Sequence, residues 1–297
     1  MNINTLNELS WDNKYCLFPV SYYIQIIEYL NEQQFDIITY SDLKPTFFDS
    51  PHNRYFFEYS NFIYGNTSPF SLLKAILRQY YFRKLNRYDA QYLNIDTQRK
   101  SVIIQHDADN SIINTMNIML LEKEYGIRSS NYFFRDHPIE EYKLDIDQLQ
   151  YFEKNGFEIG YHFNAYELSE YEKKSTRIKL ESDICFFKSR FNLRSFVPHG
   201  GVQGLNGEDN DKYQDLSKLN LLWAYNGKCI LKDYLYSDGG LMFNKTIPPY
   251  FFDETHKIQS TKRAVLLFHP QYFGTEPRND YKKFSISKKK WWNKLWE

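Results

Sequence analysis

The stretch Val102-Ile103-Ile104-Gln105-His106-Asp107-Ala108-Asp109 sets the reading of this chain. Three β-branched residues are followed, after Gln105, by His106, Asp107 and Asp109 within four positions. A short apolar run of this kind reads as a buried strand. Titratable groups just beyond such a strand belong to the C-terminal rim of a parallel sheet, where catalytic side chains collect. The arrangement recurs along the sequence: residues 157–161 run into His162, 195–197 into Pro198-His199-Gly200, and 265–268 into His269-Pro270.

Further apolar runs lie at 131–134 and 221–225, and helical stretches at 111–125, 141–155 and 170–190 separate several of them. Gly126 and Gly156 follow two of these stretches, where a helix C-cap favours a residue that tolerates positive φ. Strand alternating with helix implies an α/β fold with a parallel sheet or a β/α barrel. Upstream, Tyr23, Ile26, Ile27 and Leu30 form a helical i, i+3, i+4, i+7 stripe within 20–33. Residues 35–40 read as a strand, 45–70 as irregular, and 72–85 as a basic helix. The expected division is 1–99 as N-terminal elements peripheral to the barrel, 100–275 as the barrel, and 276–297 as a basic, Trp-rich tail.

Composition narrows the function. The chain has 297 residues with 42% hydrophobic and 25% charged residues, ordinary for a globular protein and unlike a disordered or polytopic membrane one. Lys+Arg and Asp+Glu both number 37, so the basic excess of a general nucleic-acid binder is missing. Aromatic residues reach 19%, which suits either an aromatic core or a sugar-binding face. Cys16, Cys185 and Cys229 are far apart and form no C-x-x-C pair, so neither a disulfide framework nor a thiolate zinc site is indicated. With no secretory pattern at the start and no run of about 18 apolar residues, the expected location is the cytoplasm.

The strand-end residues suggest a metal. Asp107 and Asp109 are two apart, so in a continuing extended chain both point to one side. Two carboxylates in one site repel and need a cation or a shared proton. A divalent ion supplies that cation, and His162 and His199 would complete an N/O site accepted by zinc, cobalt, nickel or manganese. One carboxylate can then bind the ion while the other acts as general base toward water. Either aspartate would also serve as a helix N-cap, and a lone strand-end His is commonly structural. On a regular strand His106 points away from Asp107 and reads as structural.

These motifs resemble the polysaccharide deacetylases, the NodB-homology or carbohydrate esterase family four group, in the divergent branch whose first motif reads His-Asp-Val-Asp. His106-Asp107-Ala108-Asp109 is similar to that motif, and Glu158-Ile159-Gly160-Tyr161-His162 to the second. Pro198-His199-Gly200 is similar to the His-Gly motif and Leu266-Leu267-Phe268-His269-Pro270 to the closing one. Tyr236-Ser237-Asp238-Gly239-Gly240 resembles a Ser-Asp segment. The resemblance implies a distorted (β/α) barrel of about seven strands and a metal-dependent hydrolase acting on carbon–nitrogen bonds. It implies removal of an acetyl group from an N-acetylated sugar of a surface polysaccharide or its precursor. Asp109, His162 and His199 would hold one divalent ion, zinc foremost. Asp107 would be the base, His269 the acid, and Asp238 the residue that orients His269.

Two positions depart from the family pattern. Tyr166 stands where the common second motif has a second His, with Glu167 beside it; Phe196 stands where the third motif has an Arg, with Arg194 two residues further back. These departures leave the base's partner open. They keep two alternatives: a catalytically silent carbohydrate-binding protein on the same fold, and another amidase-type hydrolase. In the tail, Lys288, Lys289 and Lys290 adjoin Trp291 and Trp292. That interleaving suits peripheral contact with an anionic membrane face, or docking onto the protein itself.

Overall fold

The computed structural model describes residues 9–42, 99–137, 140–164, 173–199, 221–223, 234–238, 251–253 and 255–277. The expected helix at 72–85, the irregular stretch 45–70 and the residues Tyr166 and Glu167 lie outside them, as does the lysine- and tryptophan-rich tail.

Strand β1 (Phe18–Pro19) runs directly into helix α1 (Val20–Glu32), followed by β2 (Asp36–Ile38). Next come β3 (Ser101–Asp107), α2 (Ile112–Glu124), β4 (Ser130–Phe133), α3 (Ile146–Lys154), β5 (Glu158–Phe163), α4 (Lys173–Lys188) and β6 (Ser195–Pro198). The series ends with β7 (Leu222–Trp223), β8 (Tyr234–Ser237), α5 (Thr255–Gln259), β9 (Arg263–Phe268) and β10 (Phe273–Gly274). The expected runs at 102–104, 131–134, 157–161, 195–197, 221–225 and 265–268 each contain or overlap a strand. β8 went unanticipated: Tyr-Leu-Tyr-Ser carries little pattern of its own, and the strand exists through its parallel pairing with β9.

Seven strands lie side by side in the order β7-β6-β5-β4-β3-β9-β8, every neighbouring pair parallel. This is the α/β class with a parallel sheet. β7 and β8 do not pair among the described residues, so the ring closure of a barrel is not part of the described fold. β9 occupies one edge of β3. The other edge is shared: β2 takes Ser101, Val102 and Ile103, and β4 takes Gln105, His106 and Asp107. The N-terminal segment is thus built into the sheet.

Helix ends follow from local chemistry. Ser111 caps α2, its side chain accepting from the Asn114 N–H, so neither Asp107 nor Asp109 is used as that cap. Gly126 and Gly156 sit at φ 70° and 89°. At each, the glycine N–H and the next residue's N–H bond back to carbonyls of the last turn: Gly126 to Lys123 and Ile127 to Glu122, Gly156 to Glu153 and Phe157 to Phe152. This double closure lets each helix turn straight into β4 or β5.

Alternation along the strands separates two faces. Val102, Ile104, Leu266 and Phe268 pack against Tyr23, Ile26, Ile27 and Leu30 of α1 and Ile118 and Leu121 of α2. Ile159, Tyr161, Phe163 and Phe196 pack against Phe152 of α3 and Leu180, Ile184 and Phe187 of α4. Each such side chain, fully buried, contributes roughly 1.5–3 kcal/mol. The alternate residues, among them Gln105, Asp107, Ser130, Tyr132, Glu158, His162 and Ser195, face the other way; there Gln105 bonds to Asp107, and Ser130, Glu158, Ser195 and Tyr132 form a chain of hydrogen bonds.

Candidate metal centre

Because the strands are parallel, their C-terminal ends lie along one edge of the sheet. Asp109 follows β3, His162 is the fifth residue of β5, His199 follows β6, Asp238 follows β8 and His269 follows β9. Asp109, His162 and His199 each offer one ligand atom, and these three atoms all lie within 4.8 Å of one another. Two bonds of ~2.1 Å to one ion place their donor atoms roughly 3–4 Å apart. Small side-chain adjustments therefore suffice for three ligands on one ion. His199 is set by the backbone, its N–H bonding to the Phe163 carbonyl at 2.8 Å as the β5–β6 ladder runs one residue further.

The nitrogens of His162 argue for a cation. Its Nδ1 lies 3.0 Å from the Val197 carbonyl oxygen, which can only accept, so Nδ1 carries a proton. Nε2, the remaining nitrogen, lies 3.0 Å from Oδ1 of Asp109. On a neutral ring that is a lone pair facing a carboxylate oxygen. The contact is favourable only if the ring is protonated or a cation joins the two atoms. A backbone carbonyl that fixes the far nitrogen is also the usual way a metal-binding imidazole is oriented. Phe134 adds a steric constraint, stacked on His162 at 4.5 Å and edge-on to His199 at 5.2 Å.

The extended chain does not continue past Asp107. The Asp109 N–H bonds back to the Asp107 carbonyl at 3.0 Å, a three-residue turn at Ala108. Tyr142 pins that turn by donating to the Ala108 carbonyl at 2.6 Å. The two carboxylates therefore part company. Asp109 turns to the imidazoles, while Asp107, 6% exposed, accepts from Gln105 Nε2 at 2.8 Å on the sheet face. Gln105, Phe134 and Tyr142 escaped the sequence reading. Only Gln105 had a usable signal, its i−2 spacing from Asp107 on a strand.

His269 and Asp238 form a second pair at the same edge. Asp238 is 1% exposed and accepts twice from His269, from the backbone N–H at 2.8 Å and from Nδ1 at 2.5 Å. Nε2 of His269 then points back to Oδ2 of Asp109 at 3.5 Å. Burial alone would lower the His269 pKa. The carboxylates of Asp238 and Asp109, the Asp238 hydrogen bond and, more weakly, Asp107 outweigh it and raise the value to about 10. Burial likewise opposes ionisation of Asp109. The charge of His269, the His162 hydrogen bond and the charges of His199 and His162 overcome it and hold this carboxyl well below the usual range. Asp109, His162, His199, His269 and Asp238 thus come together, while Asp107 is bonded to Gln105 beside them. His106 lies on the opposite, helix-covered face, bonded to Glu122 at 2.8 Å. His137 is half-buried and stacked on Tyr142 at 4.7 Å.

No protein-family model and no curated protein matches the chain. Among solved structures, the chain is similar to the crystal structure of a mutant described as a CE4 family pseudoenzyme with restored enzymatic activity. The identity is 13% and the TM-score 0.32, over 65% of this chain and 63% of that one.

Proposed function

We propose that this chain is a metal-dependent hydrolase that removes the acetyl group from an N-acetylated sugar, a surface polysaccharide or its nucleotide- or lipid-linked precursor. The observation that carries the reading is the convergence of the ligand atoms of Asp109, His162 and His199 within 4.8 Å beside the His269–Asp238 pair, which reaches Asp109. The order of strand-end motifs supports it. One divalent ion held by Asp109, His162 and His199, zinc foremost, would polarise the acetyl carbonyl and acidify the attacking water. Asp107, kept apart from the ligands by the turn at Ala108, is the base that takes the water's proton. His269 presents a proton at Nε2 to the leaving amine, because Nδ1 is committed to Asp238. Asp238 orients that ring and sustains its charge. A cation on Asp109 would offset one of the three carboxylates that raise His269, making its proton easier to give.

The test is acetate release from nucleotide-linked N-acetylated sugars by the full chain supplied with zinc or cobalt. Asp109→Ala should lower the rate by at least about 100-fold and abolish stoichiometric metal in elemental analysis. Unchanged activity in that variant overturns the mechanism. One observation favours a second reading, a catalytically silent carbohydrate-binding protein. Where the resemblance expects an arginine, Phe196 is fully buried among α3 and α4 side chains. Sugar binding that survives both chelator and the His162→Ala and His199→Ala substitutions would support that reading instead.

A further inference from the structure

Asp107 is held by an arm that begins in the N-terminal segment. Its Oδ1 accepts from Gln105 Nε2 at 2.8 Å, and Gln105 Oε1 accepts from the hydroxyl of Tyr40 at 3.1 Å. Gln105 and Tyr40 are both fully buried. The amide orientation follows from chemistry: an ionised carboxylate only accepts, so the NH2 must face Asp107, and the carbonyl oxygen is left for the Tyr40 O–H. Tyr40 is anchored in turn. Its backbone N–H donates to Ser130 Oγ at 3.1 Å, and the next N–H, of Ser41, donates to Glu158 Oε2 at 3.1 Å. Ser130 Oγ itself donates to Glu158 Oε2 at 2.6 Å. Asp42 closes the turn, accepting from the Thr39 N–H at 2.7 Å and its hydroxyl at 3.0 Å. The edge of β3 is open to this arm because β2 brings residues 39–42 to the level where β4 begins.

We infer that Tyr40 and Gln105 are positioning residues for Asp107, so that the N-terminal segment aims the base of the active site. The inference rests on the hydrolase reading, since only a reactive Asp107 needs aiming. Its physical content is specific. Gln105 is a neutral donor that fixes one carboxylate oxygen without offsetting the charge, leaving Oδ2 for a proton. Tyr40 acts only through Gln105, by holding the amide in the donating orientation. The two residues should therefore behave as one unit.

The experiment compares the full chain with Tyr40→Phe, Gln105→Leu and the double variant, using acetate release from a nucleotide-linked N-acetylated sugar. Cobalt stoichiometry and its visible absorption serve as the metal probe. Gln105→Leu is expected to lower kcat by about 10- to 100-fold with little change in KM. Tyr40→Phe, which loses one neutral hydrogen bond, should lower kcat by roughly two- to tenfold. The double variant should match Gln105→Leu alone, the coupling expected when one residue works through the other. Cobalt binding should be unchanged in all three, because none touches Asp109, His162 or His199. Additive losses, or losses that track cobalt binding, overturn the inference. A second measurement needs no turnover: the 15N side-chain amide signal of Gln105 should shift in both Tyr40→Phe and Asp107→Asn. If it shifts while the wild-type chain releases no acetate, the arm stands and the hydrolase reading falls. If it stays put in Tyr40→Phe, the arm falls whatever the activity.

Discussion

Along β5, Ile159, Tyr161 and Phe163 enter the helix-covered core, while Glu158, Gly160 and His162 look the other way, toward Ser130, Tyr132 and Asp109. The same division runs through β3, where Val102 and Ile104 meet α1 and α2 and Gln105 and Asp107 meet each other. One face is mostly apolar, with the His106–Glu122 pair buried in it, and the other carries most of the polar side chains beside Ile103, Val265 and Leu267. Two histidines bring out the difference. His106 and His162 are both buried and each lies about one hydrogen bond from a carboxylate, 2.8 Å from Glu122 and 3.0 Å from Asp109. Glu122 is closed off, since Tyr23 and Ser129 also donate to it and no part of it is exposed. Asp109 is reached by two imidazoles and still 16% exposed. In the first arrangement the carboxylate's positions are filled within the protein, although His106 Nδ1 has no hydrogen-bond partner among the described residues; in the second the carboxylate keeps an exposed side within reach of His162 and His199. Burial and a carboxylate neighbour therefore do not distinguish a structural His from a ligand. What distinguishes them is whether the carboxylate's remaining positions are filled.

The sharpest way to break this comparison is to remove each imidazole in turn. His106→Ala withdraws a donor from the buried Glu122 carboxylate and leaves a cavity against Tyr23 and Phe268. It should cost about 3 kcal/mol in a denaturant titration and leave zinc stoichiometry unchanged. His162→Ala should do the reverse, abolishing stoichiometric zinc at a smaller stability cost. If both variants behave alike, the two faces do not divide labour as described.

Zinc itself sharpens the contrast. An ion that binds only the folded chain raises its stability by mass action, about 2.7 kcal/mol at a hundredfold excess over Kd. Wild type should show that rise in Tm and lose it with chelator. His106→Ala should keep the increment on a lowered baseline. His199→Ala should show none of it, and a full zinc shift in that variant would remove His199 from the ligand set.

The apolar face was legible in the sequence and the polar one only in part. Runs such as 102–104 and 265–268 announce strands because their alternate residues enter the helix-covered core and the residues between, Ile103 and Val265, are buried on the other face. The glycines at 126 and 156 announce helix ends because only they take the required φ cheaply. Strand-end Asp109, His162, His199 and His269 were readable because parallel strands deliver their ends to one edge. The turn at Ala108 was not, since it depends on Tyr142 reaching back from 34 residues away. Tyr40 was invisible for the same reason, 65 residues from the Gln105 it serves. Asp238 entered through motif resemblance alone, because the strand that carries it forms only against β9.

Gly160 tests how tightly the polar face is filled. A Cβ there would overlap the ring of Tyr132, the far end of which is held to Ser195 Oγ at 2.7 Å. The ring cannot yield without giving up that bond. Gly160→Ala should therefore cost about 2 kcal/mol, read as a lowered denaturation midpoint. An Ala placed as easily as on an open surface would mean that Tyr132 does not lie across β5.

Glu158 offers the smallest and most selective test. Its carboxyl accepts from Ser130, Ser195 and Ser41, yet burial outweighs these bonds and raises its pKa above the ordinary 4.5. The sign follows from linkage: the folded state holds this proton more tightly than the unfolded one. Its stabilising contribution is complete below pH 4.5 and is lost as pH climbs through the raised value. Glu158→Gln removes the titration while keeping the side chain's shape and one acceptor. At pH 4 variant and wild type should agree within about 1 kcal/mol. As the pH rises to 8 the difference should move steadily in the variant's favour, because only wild type must then carry a charge in the polar layer. Other titrating groups, the strand-end histidines included, contribute equally to both proteins and cancel in the difference. Stability curves that stay parallel from pH 4 to 8 would mean that the layer is wet enough to solvate Glu158, and the sheet's second face would then be an extension of solvent rather than part of the interior.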